Sequence, residues 1–445
     1  MKQKEFFHSV TLDRDKCKGC INCIKRCPTE AIRVRNGKAK IISERCIDCG
    51  ECIRVCPHHA KKAIYDPLSV IDNYEYTIAL PAPSFYGQFN NLDDVDIVLS
   101  ALLDLGFDSV YEVSKAAELI SDATRRILHQ TDCPRPLISS ACPAVTRLIR
   151  VRFPSLIDNI LDLNAPVELA ARLAKKEAME KTGLPAEKIG AIFISPCPAK
   201  VTAAKMPLGT AKSEISAVLA VSEVYPKLLK YMDHDRYREG LSDSGKMGVA
   251  WASSAGESSA LLNDNYLAAD GIENVIRVLE DLEDEKFTNL DFIELNACNG
   301  GCVGGVLNVE NPYIARTKLK RLRKYLPVSL NHLKDMPPEM PWDEPLEFTP
   351  VMELDANFSV ALNKMNEMER IEASLPGLDC GSCGAPSCKA LAEDVVRGFA
   401  SVDDCVFKFR ENVASLMDNI HRLNVSIPQA YREAEASDAE KKKEE

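Results

Sequence analysis

The feature that most restricts this chain is a duplicated cysteine run. CKGCINCIKRCP at Cys17–Pro28 returns as CIDCGECIRVCP at Cys46–Pro57, and each cysteine recurs after the same 29 residues: 17→46, 20→49, 23→52 and 27→56. The chain holds 17 cysteines in 445 residues. Its N-terminus, MKQKEFFHSVTLDRDKC, lacks the apolar core of a signal peptide, so a cytoplasmic location is expected. Disulfides are rare there, and clustered cysteines point to metal sites instead. The short spacings bring three thiols of each run around one inorganic centre. Paired zinc sites are the alternative, although zinc rarely takes four cysteines at this spacing twice over.

Composition narrows the function. The charge sum is 55 − 66 = −11, which argues against a nucleic-acid partner. No apolar run reaches the roughly 18–20 residues needed to span a bilayer, so no membrane partner is expected. The length allows two to four domains.

From about Tyr76 strands and helices alternate, which argues for a parallel α/β architecture. Strand-like stretches lie at 76–83, 109–114, 136–143, 189–198, 247–251 and 291–298. Helical stretches lie near 93–105, 116–130, 144–152, 166–182, 215–232, 257–268, 272–283 and 312–325. Cys142, Cys197 and Cys298 each follow a strand. In open α/β sheets ligands bind beyond the carboxyl ends of the strands, so the three thiols can converge. Cys302 follows in NACNGGCVGG, where Gly300, Gly301, Gly304 and Gly305 would let the backbone approach a bulky group. One such cysteine alone would be read as a buried core thiol.

Residues 334–350 carry five prolines and read as a connection. A helical stretch near 358–372 leads to Cys380, Cys383, Cys388 and Cys405, spaced C-x2-C-x4-C-x16-C, with zinc the alternative to a cluster. The tail REAEASDAEKKKEE reads as a frayed, solvated helix end. His58 and His59 read as surface residues and Cys133 as a structural thiol.

The duplicated run resembles bacterial ferredoxins over residues 10–60. In that family the fourth cysteine of each run ligates the other cluster. The resemblance therefore implies one 4Fe-4S cluster on Cys17, Cys20, Cys23 and Cys56, and another on Cys46, Cys49, Cys52 and Cys27. ISSACPAV, SPCPAK and ELNACNGGCVGG resemble the three H-cluster motifs of FeFe hydrogenases, over about residues 1–335. By that resemblance Cys142, Cys197, Cys298 and Cys302 hold a 4Fe-4S cubane. Cys302 also bridges to a two-iron subsite carrying CO, cyanide and a bridging dithiolate. Lys200 and Ser84, in the turn Ala82-Pro83-Ser84, match residues near the cyanides, the alternative for Lys200 being an exposed surface lysine. LPGLDCGSCGAPSC resembles the 4Fe-4S domain of corrinoid iron–sulfur proteins and electron-transport subunits.

Several positions depart from the hydrogenase pattern. Ala141 stands where catalytic members have a proton-shuttling cysteine. Ser195 and Asn296 replace methionines, and Val201, Thr202 and Ala203 stand where a glutamate is expected. The glutamates of the family's proton relay align loosely with Ser121 and Asp122. These changes resemble the sensory branch, here without a PAS domain.

The implied fold is an α/β hydrogenase H-domain of two lobes, with parallel sheets flanked by helices. An α+β ferredoxin module with two 4Fe-4S clusters precedes it, and a small, mostly helical 4Fe-4S domain follows. The expected divisions are 1–72, 73–335, a linker 336–365, 366–412, and a helical charged tail 413–445. The implied function is slow, reversible H2 oxidation in hydrogen or redox sensing. The implied cofactors are three 4Fe-4S clusters, two ferredoxin-like and one C-terminal, and an H-cluster. The implied partners are H2 and protons, a redox or signalling protein and hydrogenase maturation proteins, with room for a homodimer. The alternatives are a Nar1-like iron–sulfur assembly protein, or an electron carrier without the two-iron subsite.

Overall fold

The computed structural model describes residues 6–287 and 289–425. The chain divides into two compact units, one of Met1–Ile32 with Gly37–Met352, the other of Arg33–Asn36 with the chain from Glu353 onward.

The strands in chain order are β1 (Val10–Leu12), β2 (Ile32–Arg35), β3 (Lys38–Ile41), β4 (Lys61–Ala63), β5 (Tyr76–Pro81), β6 (Ser109–Val110), β7 (Leu137–Ile138), β8 (Ile189–Ser195), β9 (Ala217–Ala220), β10 (Tyr266–Asp270) and β11 (Phe292–Asn296). In the first unit β1 pairs antiparallel with β4, bracketing the duplicated cysteine runs. Each run contributes one short helix, Asn22–Lys25 and Glu51–Arg54.

Two parallel sheets follow. One has the order β6-β5-β8-β9, the other β10-β11-β7. β8 is IGAIFIS and is buried at every residue, as expected of a strand covered on both faces. Helices Val95–Leu105, Val113–Leu128 and Pro166–Thr182 surround the first sheet. Helices Pro143–Arg152 and Ile272–Glu283 share the core of the second with Ile138, Ile293 and Leu295.

Three local expectations fail. MGVAW forms a helix, Lys246–Ala250, rather than a strand. A five-residue apolar run cannot be assigned by periodicity alone, and here Glu118 Oε1 accepts from the Gly245 and Gly248 amides and holds a turn. The helix expected over 215–232 begins with β9 and becomes helical only at Val221–Leu228. The helix expected over 257–268 ends at Ala260, and Tyr266–Asp270 pairs beside β11. In both places a strand of four or five residues is hidden by apolar spacing that also fits a helix.

The second unit holds helices Phe358–Ser374, Cys388–Val396 and Val406–Val425. Ile371, Leu375, Ala385 and Leu391 form its core together with Cys405. Two of its helices run unbroken through residues 365–366 and 412–413, so no structural break marks those expected divisions. Most of the expected tail, from residue 426, lies outside the described residues.

Candidate metal centres and their surroundings

Two cavities in the first unit are lined by the duplicated runs with their fourth cysteines exchanged. One meets Cys17, Cys20, Cys23 and Cys56. The other meets Cys27, Cys46, Cys49 and Cys52. Burial raises the thiol pKa of Cys23 to about 11 in one set and of Cys52 to about 12 in the other, whereas at Cys56 burial is outweighed by the backbone amides of Lys61, Ala60 and His58 and the shift is downward. Thiols so buried and crowded are poor anions by themselves, and a cation they ligate resolves the conflict. Lys61 supports the fit: it is 3% exposed and its Nζ has no hydrogen-bond partner. That ammonium acts electrostatically on Cys23 and Cys56 of one set and on Cys27 and Cys52 of the other. His8 Nδ1 lies 2.8 Å from Asp48 Oδ2, and the pair adjoins Cys46. His58 and His59 are exposed.

The central set is built at strand ends. Cys142 follows β7 and N-caps the helix from Pro143; Cys197 follows β8 and N-caps the helix from Pro198. Cys298 lies beyond β11, and Cys302 opens a 3-10 turn. All four act electrostatically on Lys200. Lys200 is half-buried with its charged end inward: Nζ donates to Cys302 Sγ at 3.8 Å and to the Ala141 carbonyl at 3.3 Å. Burial alone would lower its pKa, but Cys302, Cys197, Cys142 and Cys298 outweigh it and the net shift is upward. Burial pushes the Cys197 thiol up to about 11.

A cavity beside Cys302 is lined by Pro83, Ser84, Ala141, Lys200, Glu257 and Asn296, among others. Ser84 is fully buried, and its Oγ has no partner. An orphaned hydroxyl facing a cavity shared with a lysine and a thiol suits a group bearing hydrogen-bond acceptors. The cysteines, Lys200 and Ser84 therefore fit an iron–sulfur centre with anionic ligands.

The departing residues have definite roles. Ser195 Oγ donates to the Cys197 carbonyl and accepts from the Cys197 amide, shaping the turn where a methionine was expected. Asn296 Nδ2 donates to Glu294 Oε1. Ser121 accepts from Trp251 Nε1 and donates back to the Ala117 carbonyl, while Asp122 pairs with Arg125 and Arg126. Neither lines the cavity. The glycines also differ from expectation. A Cβ on Gly301 (φ +90°) would lie 2.4 Å from the Ser254 amide, and one on Gly305 would lie 2.2 Å from the Pro196 carbonyl oxygen. Their smallness lets backbone segments pack together behind the thiols.

Sequence reasoning missed two buried carboxylates. Glu257 and Glu294 are 4% and 3% exposed, and both line the cavity. The Ser139 hydroxyl donates to Glu257 at 2.6 Å, and Ser139 Oγ accepts from the Ala141 amide at 3.2 Å. Glu294 accepts from the Ala255 and Ser258 amides. Burial raises both carboxyls, Glu257 further because Glu294 is beside it, against the opposing pull of Ser139 and Lys200. One signal was available: a glutamate inside the apolar strand FIELN is out of place unless used. Glu257, in the polar run SSAGESS, gave none.

In the second unit, Cys383 faces Cys380 and Cys405 electrostatically, and burial raises its pKa. Cys388 begins the helix Cys388–Val396. Cys133 is half-buried and donates to the Pro134 carbonyl. Among the described residues no helix is long and apolar enough to cross a membrane.

Comparisons with known proteins identify three matching domains along the chain. A family model described as the iron-only hydrogenase large subunit, C-terminal domain, matches residues 75–262 and 249–306. A 4Fe-4S dicluster domain matches 9–57, and a domain described as a putative Fe-S cluster matches 375–407. Iron hydrogenase 1 of Clostridium pasteurianum is 23% identical over 389 residues, covering 71% of this chain and 68% of that protein. The periplasmic [Fe] hydrogenase large subunit of Nitratidesulfovibrio vulgaris is 26% identical over 260 residues, covering 53% of this chain and 62% of that one. A solved variant of the [FeFe]-hydrogenase HydA1 from Chlamydomonas reinhardtii matches with a TM-score of 0.46 at 16% identity, over 57% of this chain and 86% of that one. The chain belongs to the iron-only hydrogenase large-subunit family, with a dicluster domain on its N-terminal side and an Fe-S domain on its C-terminal side.

Proposed function

We propose that this protein oxidises H2 slowly and reversibly at an H-cluster and serves hydrogen or redox sensing in the cytoplasm, with electrons relayed through its 4Fe-4S clusters. The observation that carries the reading is the cavity beside Cys302, which Lys200 and Ser84 enter with polar groups while position 141 offers only a methyl group. Cys142, Cys197, Cys298 and Cys302 would hold the cubane, and Cys302 would bridge to the two-iron subsite. When bound, that centre supplies the open metal position and the base at which H2 is split into 2 H+ and 2 e−. Lys200 Nζ and Ser84 Oγ would hold the anionic ligands by hydrogen bonds. A charge-assisted donor is about twice as strong as a neutral one, which gives Lys200 the larger share.

The proton must then leave. Ala141 can neither accept nor donate one through its side chain. Glu257 is a group in the lining that can carry it: burial, and Glu294 beside it, hold its carboxyl above the usual range, and it accepts from the Ser139 hydroxyl. The electrons would pass to a redox or signalling protein, and hydrogenase maturation proteins would install the two-iron subsite.

Ala141 also suits a second reading, a Nar1-like assembly protein or plain electron carrier without the subsite. Infrared spectroscopy of the maturated protein separates the two. Intrinsic CO and cyanide bands are expected. A full complement of 4Fe-4S clusters with no such bands overturns the hydrogenase reading in favour of the second.

A further inference from the structure

The helix Val406–Val425 leaves Cys405 and runs for 20 residues. Beyond its first turn every described side chain is exposed. In proteins most helical stability comes from a packed apolar face rather than from the helix's own propensity. Here that face is turned outward. Val406, Phe409, Val413, Leu416 and Ile420 follow one another at steps of three, four, three and four residues, and Leu423 continues the spacing. Phe409 is 56% exposed, Leu416 60% and Ile420 56%. This is the 3.5-residue period of a coiled-coil seam, with Val406, Val413 and Ile420 at position a and Phe409, Leu416 and Leu423 at position d.

The residue types choose the occupant. β-branched residues at a with leucine at d favour two parallel strands. The flanking e and g positions are Arg410, Asn412, Met417 and Asn419. Only one is charged, so two identical helices in register meet no like-charge pair between Asn412 and the facing Met417. The flank also carries no charge code that would select a different helix. The charges lie on the outer face instead, on Lys408, Glu411, Asp418 and Arg422.

We infer that this helix pairs in parallel with the same helix of a second copy, making the protein a homodimer. The inference does not depend on the hydrogenase reading. A parallel pairing would bring Cys405 of both copies to the same end of the coil.

Sedimentation of the full-length, cluster-loaded protein tests it. The wild type should sediment at twice 49.2 kDa at micromolar concentrations. The double variant Leu416→Glu, Ile420→Glu should sediment as a monomer with its iron content unchanged. The outer-face variant Ser415→Glu should stay dimeric. Photo-cross-linking fixes the orientation: benzoylphenylalanine in place of Phe409 should attach to residues 406–413 of the second copy. Attachment at 416–423 would overturn the parallel arrangement. A wild type that is monomeric to about 100 µM, or a seam double variant that remains dimeric, overturns the proposal.

Discussion

At position 141 the difference between a thiol and a methyl group is the difference between a proton carrier and a spacer. Positioned proton transfer is typically worth about 10²–10⁴ in rate, so wild-type turnover should fall well below that of catalytic relatives while the infrared bands are intact. Ala141→Cys should raise turnover by less than about 10²-fold, because Ser121 and Asp122 are engaged elsewhere and do not continue a relay. A maturated wild type as fast as catalytic relatives would remove the reason for the slow assignment. Glu257 allows a second measurement. Its carboxyl is raised above the unfolded value, chiefly by burial, so the folded protein holds this proton more tightly than the unfolded chain. The associated stability is fully present below the unfolded pKa, near 4.5, and is lost as pH rises through the folded value. Glu257→Gln keeps the shape and cannot ionise. It should flatten the alkaline fall in thermal stability while lowering turnover further. A variant with an unchanged pH profile of stability would show that Glu257 is ionised in the fold.

The site's elements are strand ends, and these were the most legible part of the sequence. β5, β8 and β11 are apolar runs that lead into the site: β5 ends on Pro81, β8 at Ser195 just before Pro196-Cys197, and β11 at Asn296 two residues before Cys298. The elements misread were β9 and β10, both short, and the helix at Lys246, whose turn is held by a distant glutamate. Local pattern carries no information about a partner 127 residues away. Cys142, Cys197, Cys298, Cys302, Lys200 and Ser84 could be picked out by motif and lie around one cavity or its neighbouring thiols. Glu257 could not, because its importance comes from burial. The loop after β11 shows the same limit: its glycines were visible, but what crowds them was not. Gly301→Ala must adopt φ +90° and push its Cβ against the Ser254 amide. A side chain in such a conformation costs about 1–3 kcal/mol. Thermal unfolding should show that loss, with less iron retained at the central site, and no loss of stability would mean the loop can rearrange freely.

Across the whole molecule the cysteines divide as the fold divides. Three sets of four lie in the first unit, and Cys380, Cys383, Cys388 and Cys405 lie in the second. That leaves one cysteine of 17, Cys133, away from any set. If each set holds a cubane, anaerobic protein lacking the two-iron subsite carries about 16 iron atoms per chain, and maturated protein about 18, at four irons per cubane. The units should also lose iron separately. Cys388→Ser removes a ligand only from the C-terminal set, so iron should fall by about 4, while the electron-paramagnetic signals of the first unit survive. The sulfur ligands could take zinc instead, which would appear as zinc rising in place of iron in every set. Reconstituted protein with substantial zinc, or with iron near 8, would sink the assignment of four cubanes. The electron route from the central cavity through the rest of the chain would then have to be abandoned.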